Sequence, residues 1–261
     1  YFCGHSYGTA PKNLNDGSGR FHVLNNLKKI EFYRRLLKTS GMEDMQIVID
    51  EWGACTCGFW NREECPQLMF REDSRYAAYF GKLITNLVFG PLDVSKLMIC
   101  LSGQHEMKVD FSGFRGFFTL NGFKKPIYNA YALAAKLHTK VLKCDHNHNG
   151  LEVLATADEA EQVSVLLSYA SEYFDRPMPD IHDQLVFSGL DGNYELTIWC
   201  VDETNTNPYT RMLREGMQED RLSADEISVL REEGMLKPLY RQKIRTMGTV
   251  KADLCGASVF T

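Results

Sequence analysis

Two acids side by side at the end of an apolar run, in IVIDEWGAC at residues 47–55, mark the first place in this 261-residue chain where chemistry could be done. A carboxylate delivered by a strand end can serve as nucleophile, general acid or general base. Strand residues alternate sides, so Glu51 is expected to share a face with Ile49, Ile47 and Met45, and Asp50 to face the other way with Val48. On that parity the two are not partners in one dyad: one points into a pocket and the other bonds backbone or a neighbouring strand. Spacing alone fits two solvated loop acids equally well. Two more apolar runs end in the same way. FCGHSYG brings out His5 and Tyr7 on one parity, and LMICLSGQHE brings out His105 and Glu106. If the three strands are neighbours, their ends gather His5, Tyr7, Glu51 and Glu106 around one mouth. Two carboxylates there are the minimum equipment for glycoside hydrolysis. Trp52 and Trp60 would suit stacking on a sugar face, although tryptophans so placed are more often core.

The elements that must position these groups alternate. Residues 23–37 (VLNNLKKIEFYRRLL) carry apolar side chains at helical spacing, and 45–49 read as a short strand. Residues 74–88 read as a helix with small and aromatic residues on one face, and 97–101 (LMICL) as a fully apolar strand. Residues 126–137 read as a third helix, with Pro126 in its first turn. Strands apolar on both faces and separated by helices predict a parallel sheet with helices over it. Either a doubly wound sheet or an eight-stranded barrel would satisfy this. No phosphate-cradling glycine motif follows the strands, and acids with histidine at strand C-termini favour the barrel. After about residue 141 the texture changes to short alternating runs such as LEVLATAD, QVSVLLSYAS, DQLVFSGL and NYELTIWCVD, which read as an antiparallel β-sandwich. One helix interrupts them, where Ser223 and Glu226 form a capping box. The division expected is 1–140 for the α/β part and 141–261 for the sandwich, with the boundary in the polar stretch around DHNHNG.

Composition narrows the partners. With 44% hydrophobic and 24% charged residues the chain can build a sizeable core. Its formal charge of -5, with scattered basic residues, points away from nucleic acid and anionic membrane surfaces. No apolar run is long enough to cross a bilayer. Eight cysteines spread over the whole length make no dense disulfide framework. Cys55, Cys57 and Cys65, or His146 and His148 with Asp145, are weak metal signals. Buried thiols in a reducing, cytoplasmic setting are the favoured reading, and a secreted protein with one or two bridges is the alternative. The opening YFCGHSYG reads as the middle of a domain, so the chain is expected to be a piece of a longer protein and its compartment stays open.

FCGHSYG, IVIDEWGA and above all GFRGFFTLNGFKKPIYNAYALAAKL, followed by a β-rich tail, resemble glycoside hydrolase family 39. That family includes β-xylosidases and α-L-iduronidases. In the tail, ELTIWCVDETNTNPYTRMLREG and LSADEISVLREEG resemble the stretch after the family's barrel. The resemblance implies the last strands and helices of a (β/α)8 TIM barrel followed by a β-sandwich. It implies that Glu51 is the nucleophile of a retaining glycosidase, that His5 and Tyr7 contact the sugar and orient Glu51, and that Glu106 and Trp52 also line the substrate site. The family's general acid/base would lie upstream of Tyr1; Glu63, Glu64, Asp73 and Asp110 stand in no Asn-Glu pair that could replace it. The LMICL run lacks the tryptophan of the β-xylosidases. The implied partner is an oligosaccharide or glycoside, of xyloside or uronide type, with no metal or organic cofactor; oligomeric state stays open. Two rivals remain: a related barrel glycosidase acting on arabinosides or glucosides, and a non-catalytic remnant that binds carbohydrate or a partner through the sandwich.

Overall fold

A computed structural model describes residues 1–10, 22–56, 59–101, 107–146, 148–160, 162–173, 179, 181–256 and 259–260. Strands β1 (Phe2–Thr9), β2 (Ile47–Cys55) and β3 (Val94–Ile99) form a parallel sheet in that order. Parallel neighbours need crossovers, and helices α1 (Leu24–Thr39) and α2 (Ser74–Phe89) supply them. A short 3-10 turn (Pro66–Arg71) precedes α2, and α3 (Pro126–Ala134) comes after β3 in the chain. Among the described residues the sheet is not closed: β1 and β3 are its edges.

β1 and β2 run further than the apolar pattern suggested, while β3 starts earlier and ends at Ile99, short of the expected residue 101. β1 continues through His5 and Tyr7 to Thr9, and β2 through both acids to Cys55. The extension of β2 includes an irregularity: Gly4 pairs with Ile49 but His5 pairs with Glu51, and on the other side Ile49 pairs with Leu97 but Trp52 with Ile99. β2 therefore carries one extra residue against both neighbours, a bulge at Asp50–Glu51. A bulge re-aims every side chain beyond it. Ile47, Ile49, Trp52 and Ala54 all lie in the main core cluster, so Glu51 does not share a face with Ile47 and Ile49 as strict alternation required.

The core sits between this sheet and its helices. α2 is buried on most of its circumference, as its run of small and aromatic residues implies, and Phe80 stacks on Tyr131 of α3 with ring centroids 4.1 Å apart. Trp52 has 0% exposure, packed against Tyr76, Tyr79 and Phe80, and its indole Nε1 donates to the Tyr131 hydroxyl at 2.6 Å. No sugar can reach its face, which corrects the expectation that Trp52 lines the substrate site. Asn26 of α1, fully buried, ties three elements together. Its amide donates to the Ser6 carbonyl at 2.9 Å and to the Gly53 carbonyl at 3.3 Å, and its side-chain oxygen accepts from the Tyr79 hydroxyl.

Among the described residues, the strands of the second half form one six-stranded antiparallel sheet. Its strands are β4 (Lys140–Val141), β5 (Leu151–Ala157), β6 (Val163–Tyr169), β7 (Ile181–Val201), β8 (Pro238–Gly256) and β9 (Val259–Phe260), in spatial order β4-β5-β6-β9-β7-β8. DQLVFSGL and NYELTIWCVD, read as separate strands, are a single 21-residue strand. Asp191 and Gly192, which separate the two runs, stay paired with β8, and the irregularity lies just before them: Gly189 has φ +81° and the register with β8 shifts between Ser188 and Leu190. Two helices sit between β7 and β8. α5 (Ala224–Glu233) has the expected capping box. α4 (Pro208–Glu215) escaped the periodicity reading because it is only 8 residues long, although Asn207 as N-cap, Pro208 at the first turn and left-handed Gly216 at the end all announce it. The two halves share a core: Leu154, Leu166 and Val201 belong to the same apolar cluster as Trp52 and Tyr79. At Gly81 of α2 a Cβ would lie 1.9 Å from the Ser168 hydroxyl of β6, so a side chain there would force Ser168 to move.

Candidate active site

Because His5 pairs with Glu51 and Tyr7 with Gly53 across the bulge, His5, Tyr7 and Glu51 project from one face of the sheet. Ser6, between them, turns to the helix side and bonds Asn26. The Tyr7 hydroxyl donates a very short hydrogen bond to Glu51 Oε2. His5 Nδ1 stands 3.4 Å from the same oxygen, and His5 Nε2 stands 3.7 Å from Asp50 Oδ1. The imidazole thus lies between the two acids, which parity alone had placed on opposite faces. Side chains of His5, Asp50 and Glu51 are 55%, 39% and 37% exposed, so an incoming molecule can reach all three.

Arg115, from the connection between β3 and α3, was missed by the sequence reading. It is buried, donates from Nη1 to the Tyr7 hydroxyl at 2.6 Å and holds its guanidinium 5.4 Å from the Tyr7 ring centroid. Its position in GFRGFF, an arginine among aromatic residues in a glycine-bearing loop, was the available signal. The hydrogen bond from Tyr7 holds the Glu51 carboxyl below the usual carboxylate range, against the opposing effect of partial burial, with His5, the Cys100 thiol and Arg115 adding to the lowering. Burial, and the hydrogen bond to Glu51, push the Tyr7 hydroxyl far above its ordinary value. At neutral pH the site therefore holds an ionised carboxylate and a neutral phenol that donates to it. An ionised, accessible carboxylate fixed by a donor is what nucleophilic attack at carbon requires.

Glu106 and His105, and Cys57 of the weak metal signal, lie outside the described residues. Among the described residues no three His, Cys, Asp or Glu side chains converge as metal ligands, and no helix is long and apolar enough to cross a membrane.

Comparison with known proteins places this geometry. The family model described as Glycosyl hydrolases family 39 matches residues 8–250. The chain belongs to that family. Among curated proteins none matches. Solved structures that resemble it include the GH39 enzyme from Xanthomonas axonopodis pv. citri, at 16% identity and TM-score 0.72 over 99% of this chain and 53% of the other. A bacterial orthologue of human α-L-iduronidase aligns at 16% identity and TM-score 0.71, over 99% of this chain and 48% of that one. A monomeric β-xylosidase from Caulobacter crescentus CB15 aligns at 16% identity and TM-score 0.69, over 90% and 48%. At such identities the likeness is one of fold. The chain spans about half the length of these structures.

Proposed function

We propose that this chain is the nucleophile-bearing, C-terminal part of a retaining glycoside hydrolase that cleaves terminal glycosidic bonds of xyloside or uronide type. On this reading β1, β2 and β3 are the last strands of a (β/α)8 barrel, residues 1–140 its C-terminal portion, and residues 141–261 an appended β-sandwich domain. The observation that carries the proposal is the Glu51 carboxylate: accessible, ionised, and gripped by Tyr7 at the bulge in β2. One Glu51 oxygen attacks the anomeric carbon, the bond from that carbon to the aglycone oxygen breaks, and a glycosyl ester forms that water then hydrolyses. His5, beside Glu51, is placed to contact the sugar. The proton donor for the leaving group comes from the rest of the barrel, and Glu106 remains a candidate sugar contact.

A substrate whose leaving group needs no protonation separates the nucleophile from the missing acid. 2-Deoxy-2-fluoro glycosides of xylose, glucuronic acid and iduronic acid, each with a dinitrophenyl leaving group, should esterify Glu51 in this chain, read by peptide mass spectrometry, and Glu51→Gln should abolish labelling. Label on Asp50 or Glu106 would reassign the nucleophile. Saturable sugar binding with no label on any residue would favour the non-catalytic, carbohydrate-binding reading, and preference for arabinosides or glucosides would favour the wider set of barrel glycosidases.

A further inference from the structure

We propose that Arg115 is a positioning residue that aims the Tyr7 proton at Glu51, and that a buried cluster of Arg71, Glu72 and Lys125 fixes where Arg115 stands. The proposal deepens the assignment of Glu51 as nucleophile and rests on it for its role in catalysis. A phenol oxygen carries one proton and accepts through its lone pairs. Arg115 Nη1, at 2.6 Å, occupies an acceptor side of the Tyr7 oxygen, and the proton is then left for Glu51 Oε2. A charged donor on that oxygen polarises the O–H, so the bond Glu51 receives is stronger than a lone tyrosine would give.

The connection that carries Arg115 has little regular structure, yet the two peptides before it are gripped by charge. Glu72 Oε1 accepts from the Gly113 N–H at 2.8 Å and from Lys125 Nζ at 2.7 Å. Arg71 Nη1 donates to the Gly113 carbonyl at 3.0 Å, and Lys125 Nζ donates to the Phe114 carbonyl at 3.0 Å. Arg71, Glu72 and Lys125 are each 1% exposed. Gly113 itself has φ +77°, a conformation that favours glycine. Burying three charges to hold a loop is costly in desolvation. What that arrangement secures is the position of the residue that follows, Arg115.

Among the described residues, the ionisable groups facing Glu51 are His5 and Tyr7 from β1, Asp50 on its own strand, Cys100 just beyond β3, and Arg115. Their separate effects can be read by carboxyl 13C NMR titration of the chain labelled at glutamate, with Glu51 assigned by Glu51→Gln. Tyr7→Phe and Arg115→Met are each expected to raise the Glu51 midpoint by about one pH unit. In a Tyr7→Phe background, Arg115→Met should raise it by less than half of that. Arg115→Lys, which keeps a cationic donor, should restore part of the shift. Lys125→Met should move the midpoint in the same direction as Arg115→Met, in samples whose amide spectra show a folded chain. An undiminished effect of Arg115→Met without Tyr7 would overturn the relay, because Arg115 would then act on Glu51 directly through space. An unchanged midpoint in Arg115→Met would overturn it outright. If the coupling holds while fluorosugars label nothing, the relay stands and it is the nucleophile assignment that falls.

Discussion

Two clusters of charge flank the parallel sheet, and they differ in one respect above all. His5, Asp50 and Glu51 are between a third and just over a half exposed, whereas Arg71, Glu72 and Lys125 are almost completely dry. Both contain carboxylates beside cationic or basic groups; the first stands on β1 and β2, and the second lies past the end of β2, where Arg71 donates to the Thr56 carbonyl. In the exposed cluster, water screens each charge, so the groups contribute little to stability and stay available to a ligand. In the dry cluster, desolvation is severe, the charged groups bond one another and the backbone of the loop, and the result is a fixed backbone rather than a reactive surface. Residue type alone does not tell a site from its scaffold; accessibility does. Arg115 connects them, its loop held by one cluster and its guanidinium directed at the other.

The comparison breaks most visibly at Glu72. Glu72→Ala leaves Lys125 and Arg71 buried without their carboxylate and is expected to destabilise the chain by about 3–5 kcal/mol, measured by urea unfolding. Replacing both members of the ion pair, Glu72→Leu with Lys125→Met, should recover part of that loss, since Lys125 is then no longer a buried charge without its carboxylate, while Arg71 keeps its bonds to the Thr56 and Gly113 carbonyls. A loss under about 1 kcal/mol for Glu72→Ala would mean that the cluster is solvated like the first. Trp52→Ala belongs to the same scale, about 3–5 kcal/mol for a fully buried aromatic side chain. A variant that lost sugar binding while keeping its stability would instead return Trp52 to the site.

Much of this was legible in the sequence, and the failures share a cause. The order of strands and helices, the change of texture near residue 141 and the capping box at Ser223 all follow from periodicity and local chemistry, which are properties of neighbouring residues. The family resemblance was carried by FCGHSYG, IVIDEWGA and the GFRGFF segment, and the family model confirms it. What escaped depends on pairing. The bulge in β2 is visible only against β1 and β3, so alternation along one strand misassigned the face of Glu51 and left Asp50 apart from His5. Trp52, one residue beyond the bulge, was read into the site from its suitability for stacking on a sugar, when it turns to the helices. Arg115 lies 108 residues from the tyrosine it bonds, and Lys125 lies 53 from Glu72; no spacing rule reaches so far. The split between DQLVFSGL and NYELTIWCVD failed for the same reason, since Asp191 and Gly192, which separate them, read as a turn until their pairing with β8 is seen.

A smaller effect tests the exposed cluster. Asp50→Asn removes a charge that is 39% exposed and stands 3.7 Å from His5, so stability should change by no more than about 0.5 kcal/mol. Its consequence should appear in ligand binding or labelling, where His5 is left with Glu51 as its one acidic neighbour on β2. A destabilisation like that of Glu72→Ala would show that Asp50 is part of the scaffold and that the exposure contrast does not separate the two clusters.

The smallest effect is also the most discriminating, because it depends on sign. Tyr7 lowers the Glu51 carboxyl in the folded chain below its unfolded value, which for glutamate is about 4.3. A carboxyl so lowered contributes stability that is complete above the unfolded value and is lost as pH falls through the folded one. The stability difference between the wild-type chain and Glu51→Gln should therefore be constant near neutrality and should shift against the wild type as the solution is acidified below about pH 4. Urea midpoints of the two proteins across pH 3–7 would show it. A difference that moved in favour of the wild type on acidification would mean that repulsion from Asp50 outweighs donation from Tyr7, so that Glu51 is held in place against its charge rather than through it.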